Sequence, residues 1–285
     1  LTPHAKGLLI ATLGVVCISP DTLLIRLVDV DYGTTLFWRG LFTSLGLVLL
    51  VLVMNKRKSI QSVRALGRPG LLLILLFSIS NLSFILALQL TSVANTLVII
   101  SSAPIFAALL GWIFLSEPVS LRTWCAILIV IGAIAYIFGQ DLQGPGSWGN
   151  LGALTSAIGL SSAFVMTRHA HSIDMTPAMA GSSLLSTALA VPFVTSFAIS
   201  FDALMIFALL GAFLTAAFTL LFIAPRFIPA AEVSLIMPLE TVIGTALVWI
   251  YIGEQPSERA VIGGIVIITA LTLNSYLGIR HKAIP

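Results

Sequence analysis

Glu240 is the side chain in this sequence with the most to do chemically. It lies near the middle of a long apolar stretch, two residues after Pro238. A charged group in mid-membrane costs about 2.5–3.5 kcal/mol on insertion scales, so each one calls for a reason. Proline removes one helical hydrogen bond and opens a neighbouring carbonyl. Together Pro238 and Glu240 offer a polar, partly unwound patch that can bind an ammonium or take up a proton. The competing reading is a protonated glutamate hydrogen-bonded to another helix. Asp21, directly after Pro20, lies in the outer half of the first apolar stretch. It either lines the outer end of a pathway or pairs with Arg39 or Arg26. Arg39 itself is expected to snorkel to the outer interface rather than bind a carboxylate.

Weaker polar candidates for lining a pocket are Ser78 and Asn81, Ser101 and Ser102, Thr215, and Asn274 with Tyr276. Hydroxyls in apolar helices more often bond to their own backbone or to a neighbouring helix. Pro20, Pro104 and Pro238 are the candidate hinges. Small residues at Gly152, Ser156, Gly159 and Ala163 are spaced for close helix packing and need no ligand.

Enzymatic constellations are missing from the sequence. It has no His-Glu-x-x-His, no Gly-x-Ser-x-Gly elbow and no Walker-type phosphate loop. His169 and His171 are two residues apart, point to different faces of a helix and read as interfacial residues, not a shared metal site. The two cysteines, Cys17 and Cys125, have neither metal spacing nor an evident disulfide role and read as small buried apolar residues. No metal, cofactor or enzymatic activity is expected.

The elements that hold these residues follow from composition. Hydrophobic residues make up 58% of the 285 and charged residues only 9%, with a mean hydropathy of +1.10. So few charges cannot cover a soluble surface. The sequence divides into ten apolar stretches, at 7–28, 35–54, 70–89, 93–115, 121–139, 149–167, 177–198, 203–223, 231–252 and 258–279. About 20 residues at 1.5 Å each cross a ~30 Å hydrocarbon layer, so each stretch is read as a transmembrane helix. The first is too long for a cleavable signal peptide, holds Pro20 and Asp21, and lacks a small-residue cleavage site.

Charge placement orients the spans. With the N-terminus cytoplasmic, Lys6, Lys56, Arg57, Lys58, Arg64, Arg68, Arg122, Arg168, Arg226, Arg280 and Lys282 fall inside. Only Arg26, Arg39 and Arg259 then fall outside, which completes the 14 Lys and Arg. The positive-inside rule therefore places both termini in the cytoplasm. Trp38, Trp148 and Trp249 lie near outer span ends, and Trp112 and Trp124 near inner ends, as interfacial indoles should. Topology explains the net charge of +3, so a nucleic-acid partner is not called for.

The two halves of the sequence match at a displacement of 137 residues. Ala94, Leu110, Trp112, Ile113, Glu117, Ser120, Arg122, Ile131 and Ala133 fall on Ala231, Leu247, Trp249, Ile250, Glu254, Ser257, Arg259, Ile268 and Ala270. The polar centre of the match is a Glu-x-x-Ser-x-Arg turn. Its serines are placed to cap the following helices, with the glutamates beside the positive helix ends. On this reading Glu117 and Glu254 are structural staples joining consecutive helices. Ser101 aligns with Pro238, and Pro104 with Thr241, so both halves carry a proline at similar depth. Residues 1–140 and 141–285 are thus expected to be two five-helix repeats. Five crossings is an odd number, so the second repeat enters from the opposite face. Inverted repeats of this kind are a mark of secondary transporters.

Thr91-Ser92-Val93-Ala94-Asn95-Thr96, Pro104 and Leu115-Ser116-Glu117-Pro118 resemble the drug/metabolite transporter superfamily, in its ten-helix EamA-type branch. The second copy, Pro229-Ala230-Ala231-Glu232 through Pro238 to Gly253-Glu254, resembles it again. The likeness is greatest to bacterial amino-acid exporters, including the aromatic amino-acid type. It implies an all-α protein of the bacterial inner membrane that moves a small-molecule substrate by alternating access, through coupling to protons or by downhill flow. Nucleosides, sugars and organic cations are the alternative solutes. A channel would need polar rings along a pore, and two prolines with one midplane acid make a thin lining. One departure stands out: Ser19-Pro20-Asp21-Thr22 replaces a Trp-Gly-type segment of many relatives, so no pocket residue is carried over there. A monomer suffices, since an inverted repeat supplies both walls of a pathway.

Overall fold

The structure is a computed structural model and describes residues 2–28, 30–55, 59–90, 99–100, 102–138, 147–253 and 258–282. Those residues are mostly helical, with no strand among them. In chain order the helices are α1 (Pro3–Ile18), α2 (Asp21–Leu27), α3 (Tyr32–Asn55), α4 (Ser59–Ala65), α5 (Gly67–Leu90), α6 (Ala103–Leu115) and α7 (Leu121–Phe138). There follow α8 (Ser147–His169), α9 (Thr176–Ala190), α10 (Phe201–Ile223), α11 (Ala230–Ile236), α12 (Leu239–Ile252) and α13 (Glu258–Lys282). Five helical stretches among the described residues are long and apolar enough to cross a bilayer: Pro3–Ile25, Gly33–Met54, Gly67–Phe84, Trp148–His169 and Phe201–Arg226. Shorter apolar helices include Ala103–Leu115 and Leu121–Tyr136. Outward-facing side chains such as Leu49, Leu71, Ile113 and Ile265 are large and apolar, as a lipid-facing surface requires.

Three apolar stretches depart from continuous helix. The first breaks at Ser19-Pro20 and the ninth at Met237-Pro238, because a proline in a helix interior has no N–H to donate and crowds the preceding turn. The seventh, expected to run to residue 198, ends as an α-helix at Ala190. A 3-10 turn over Val191–Phe193, holding Pro192, follows it. Pro104 follows helical residues 99–100 and a turn at Ser102. It lies in the first turn of α6, where the missing N–H would be unbonded in any case.

Close packing is set by small residues. Gly152, Ser156 and Gly159 press α8 onto α5, with Ser80 Oγ donating to the Ser156 carbonyl at 2.8 Å. Gly40 and Gly46 bring α3 against Thr187 of α9 and Thr215 of α10, while α1 packs on α10 through Gly14 and Leu221. The core between these helices is aromatic, with Phe77 meeting Phe218 and Phe222 edge-on at 5.4 and 5.0 Å. Cys125 is exposed on α7 rather than buried, and Cys17 is partly buried. The described cysteines are free thiols. His169 and His171 are both exposed.

Two helix ends carry the sequence match into the backbone. α6 and α12 terminate at Ser116 (φ 53°) and Gly253 (φ 78°), both left-handed and 137 residues apart. Glycine is the ordinary residue for that conformation, and Ser116 holds it without one. Ser120 caps α7 as expected, accepting from the Thr123 N–H at 3.4 Å. Glu254 and Ser257, the second copy of this turn, lie outside the described residues.

Candidate functional site

Each of the two proline breaks is followed by a carboxylate, Asp21 after the first and Glu240 after the second, and Asp21 meets a guanidinium. At the first break Ser19 Oγ donates to the Val15 carbonyl at 2.7 Å, restarting the chain after its lost helical bond. Asp21 is then the first residue of α2. At the second break the Glu240 N–H donates to the Met237 carbonyl at 2.9 Å, and Glu240 lies in the first turn of α12. α2 packs against α12, and α1 against both α11 and α12, so the breaks face one another. From α3, Arg39 reaches Asp21 with a two-pronged grip, Nε at 3.0 Å and Nη2 at 2.7 Å. The Arg39 side chain is only 17% exposed and Asp21 12%, so the expected snorkelling of Arg39 gives way to a partly buried ion pair. The side chain of Arg26 lies outside those the structure describes.

Beside this cluster lies a cavity of about 30 Å³, room for about one water. Arg39, Thr43, Asn81, Ser183 and Ser186 supply its polar lining, and Leu36 and Phe218 its apolar wall. Ser186 Oγ is buried with no hydrogen-bond partner among the described residues. A buried hydroxyl left unpaired costs about 1–3 kcal/mol, so this one is poised for a partner that enters the cavity. Arginine's planar fork matches a carboxylate, and its neighbours offer hydrogen bonds.

The other expected residues are divided by the fold. Asn81 lines the cavity while its amide also donates to the Phe77 carbonyl at 3.0 Å. Ser78 instead joins α5 to α9, its hydroxyl 3.1 Å from both Ser182 O and Ser182 Oγ. Thr215 donates to Gly211 O on its own helix at 2.7 Å, and Ser102 to Ile99 O at 2.6 Å. Asn274 accepts from Thr123 at 3.4 Å, tying α13 to α7. Tyr276 is 61% exposed on the outer surface of α13 and lines neither cavity. Ser101 lies outside the described residues. Ser183, Ser186 and Thr43 were not singled out from the sequence, since serines and threonines are frequent in these helices and only the fold selects among them.

A second polar cluster lies on the face that carries the N-terminus. His4 Nε2 and Glu232 Oε2 are 2.7 Å apart and buried, and Arg122 Nη2 approaches Glu232 Oε1 at 3.7 Å. Arg168 contacts Glu117 Oε1 with Nε at 2.8 Å and Nη2 at 2.7 Å, and donates to the carbonyls of Pro225 and Arg226. Glu117 is thus clamped to α8 and does more than join α6 to α7. Each of these ion pairs joins residues 1–140 to residues 141–285.

A helical bundle with apolar outer faces and charges gathered at helix breaks is a multi-pass membrane protein. The sequence profile of the EamA-like transporter family matches residues 5–139 and again 147–276, and the chain belongs to that family, within the drug/metabolite transporter superfamily. It is accordingly a membrane transporter of small solutes, in a family of transporters rather than enzymes. Among solved structures, a crystal structure of a protein superposes with a TM-score of 0.83 at 17% identity, over 98% of this chain and 99% of that one, and shows the same fold. No curated protein matches the sequence at a significant level.

Proposed function

We propose that the chain is a secondary exporter of amino acids in the bacterial inner membrane, built as ten transmembrane helices in two inverted five-helix repeats with both termini cytoplasmic. It works by alternating access, and the solute sits between the repeats at the breaks before Asp21 and Glu240. The observation that supports this most is the arrangement at the breaks: two packed helices each carry a carboxylate in the first turn after a helix-breaking proline, and Arg39 holds the first of these beside a polar cavity. Arg39 receives the solute carboxylate, Asn81 and Ser186 orient it, and Glu240 takes the ammonium or a coupling proton. Pro20 and Pro238 lie where the helices can flex, so rocking at these points exposes the site to one side and then the other.

The test is uptake of a labelled amino-acid panel into proteoliposomes holding purified protein, beside Glu240→Gln protein and empty vesicles. Saturable uptake by the normal protein is expected, with the pH dependence of the rate lost in Glu240→Gln. No amino acid above the empty-vesicle level rejects the substrate assignment and turns the search to nucleosides, sugars and organic cations.

A further inference from the structure

From the geometry of the N-terminal face we infer a second solute station, a cavity lined by Arg122 and Glu232 and built to hold a small zwitterion against both. This inference goes beyond the central site and rests on the reading that the chain carries small charged solutes. The cavity measures about 140 Å³, larger than the central one. It lies between the end of α6, the start of α7 and the start of α11.

Its walls combine both charges with open space. Glu117, Ser120, Arg122, Thr123 and Glu232 are the polar lining. The remainder is mainly small: Ala107, Ala108, Ala230 and Ala231, with Gly111. Gly111 is buried in its helix, yet a Cβ built on it meets nothing within 4 Å. Among the described residues, none occupies that space.

The charges around it are unequally occupied. Glu117 is already gripped by Arg168, and one oxygen of Glu232 by His4. The other Glu232 oxygen stands 3.7 Å from Arg122 Nη2, beyond hydrogen-bond reach. Arg122 Nε is buried with no hydrogen-bond partner among the described residues. Arg122 Nε is thus left without a partner beside the void, while Nη2 of the same guanidinium holds Glu232 Oε1 only loosely. An arginine edge fits a carboxylate, and a carboxylate oxygen fits an ammonium. A solute with those two groups a few ångströms apart satisfies both, whereas a simple anion meets Glu117 and Glu232 and a simple cation meets Arg122. The station is lined by members of the ion pairs that tie residues 1–140 to residues 141–285.

The test uses full-length Gly111→Cys protein in a Cys17→Ala/Cys125→Ala background, modified by a negatively charged methanethiosulfonate in the presence of L-alanine, L-threonine or L-phenylalanine. Acetate and tetramethylammonium are the single-charge controls. At ten times its dissociation constant a zwitterion that fits should slow modification about tenfold by occupancy. The single-charge ions should not, and adding Arg122→Gln should abolish the protection. A thiol that fails to react overturns the station, because the cavity is then closed. Reaction at an unchanged rate in all three amino acids, while the normal protein transports one of them, overturns the station and leaves the transport reading standing. Protection without transport upholds the station and rejects the transport reading. Absence of both rejects both.

Discussion

Arg39 grips both carboxylate oxygens of Asp21, with Nε at 3.0 Å and Nη2 at 2.7 Å, across the helix break that Pro20 creates. The fork depends on a planar guanidinium, so Arg39→Lys keeps the charge but loses one of the two bonds. Removing one member of a mostly buried pair leaves the other uncompensated, at a cost of about 3–5 kcal/mol when burial is complete and less here, where both side chains retain some exposure. Asp21→Asn and Arg39→Gln alone should each lower the melting temperature of the detergent-solubilised protein, and the double variant should recover part of the loss. Transport should not recover with it, since Arg39 is assigned to the solute. Recovery of both would make the pair purely structural.

The Glu117–Arg168 contact lies at the other end of the molecule and joins the two halves. Both side chains are a quarter or more exposed, so the pair is worth less than a buried one, about 1 kcal/mol of coupling. Arg168 also donates to the carbonyls of Pro225 and Arg226. A charge swap, Glu117→Arg with Arg168→Glu, should therefore restore the ion pair but not those two bonds. In a double-mutant cycle read by thermal unfolding, the swap should stay below the normal protein yet above the sum of its single variants. A sum equal to the double would show that the two side chains do not interact.

Glycine substitutions separate packing from propensity. A Cβ at Gly159 would come 2.9 Å from the Leu76 carbonyl oxygen and 3.0 Å from Ser80 Cβ, so α8 would have to move off α5. Overpacking of this kind costs about 1–3 kcal/mol. At Gly132, on the exposed side of α7, a Cβ meets nothing within 4 Å. There alanine gains about 0.5–1 kcal/mol by restricting the unfolded chain. Gly159→Ala should lower thermal stability and Gly132→Ala should raise it. A shared direction would mean that α5 and α8 are less closely packed than described.

These cases show what the sequence could and could not disclose. The breaks at Pro20 and Pro238 were legible because a missing N–H acts wherever the proline falls within a helix. Pro104 looked equivalent, yet it lies in the first turn of α6, where no helical bond is lost; that position depends on where the helix begins, which the residue type alone does not give. The stripe Gly152–Ser156–Gly159 was readable as packing, since only small residues allow such approach. The face of α13 that holds Tyr276 was not readable. Lipid and protein core are both apolar, so the polarity contrast that orients a helix in water is lacking. The His4–Glu232 pair spans 228 residues of sequence, and nothing local signals such a contact.

Asp31 offers a test of a helix cap away from the transport site. Its Oδ1 accepts the Thr34 backbone N–H at 3.1 Å and its Oδ2 the Thr34 hydroxyl at 2.5 Å, so the carboxylate closes the first turn of α3. The Thr34 hydroxyl, with the Thr195 side chain next, holds the Asp31 carboxyl below its ordinary value of 3.8. A carboxyl lowered on folding binds protons more readily in the unfolded chain, so stability rises with pH through this range. The contribution is fully present above the ordinary value and is lost as pH falls through the lowered one. Asp31→Ala should cost about 1 kcal/mol near neutral pH. That deficit should shrink as both proteins are brought to more acid pH, where the cap is protonated in the normal chain. Thermal unfolding of the two proteins across pH 3 to 7, about the range in which aspartates titrate, reads the difference directly. A gap that stays constant through the acid range would show that the Asp31 charge has no part in capping α3.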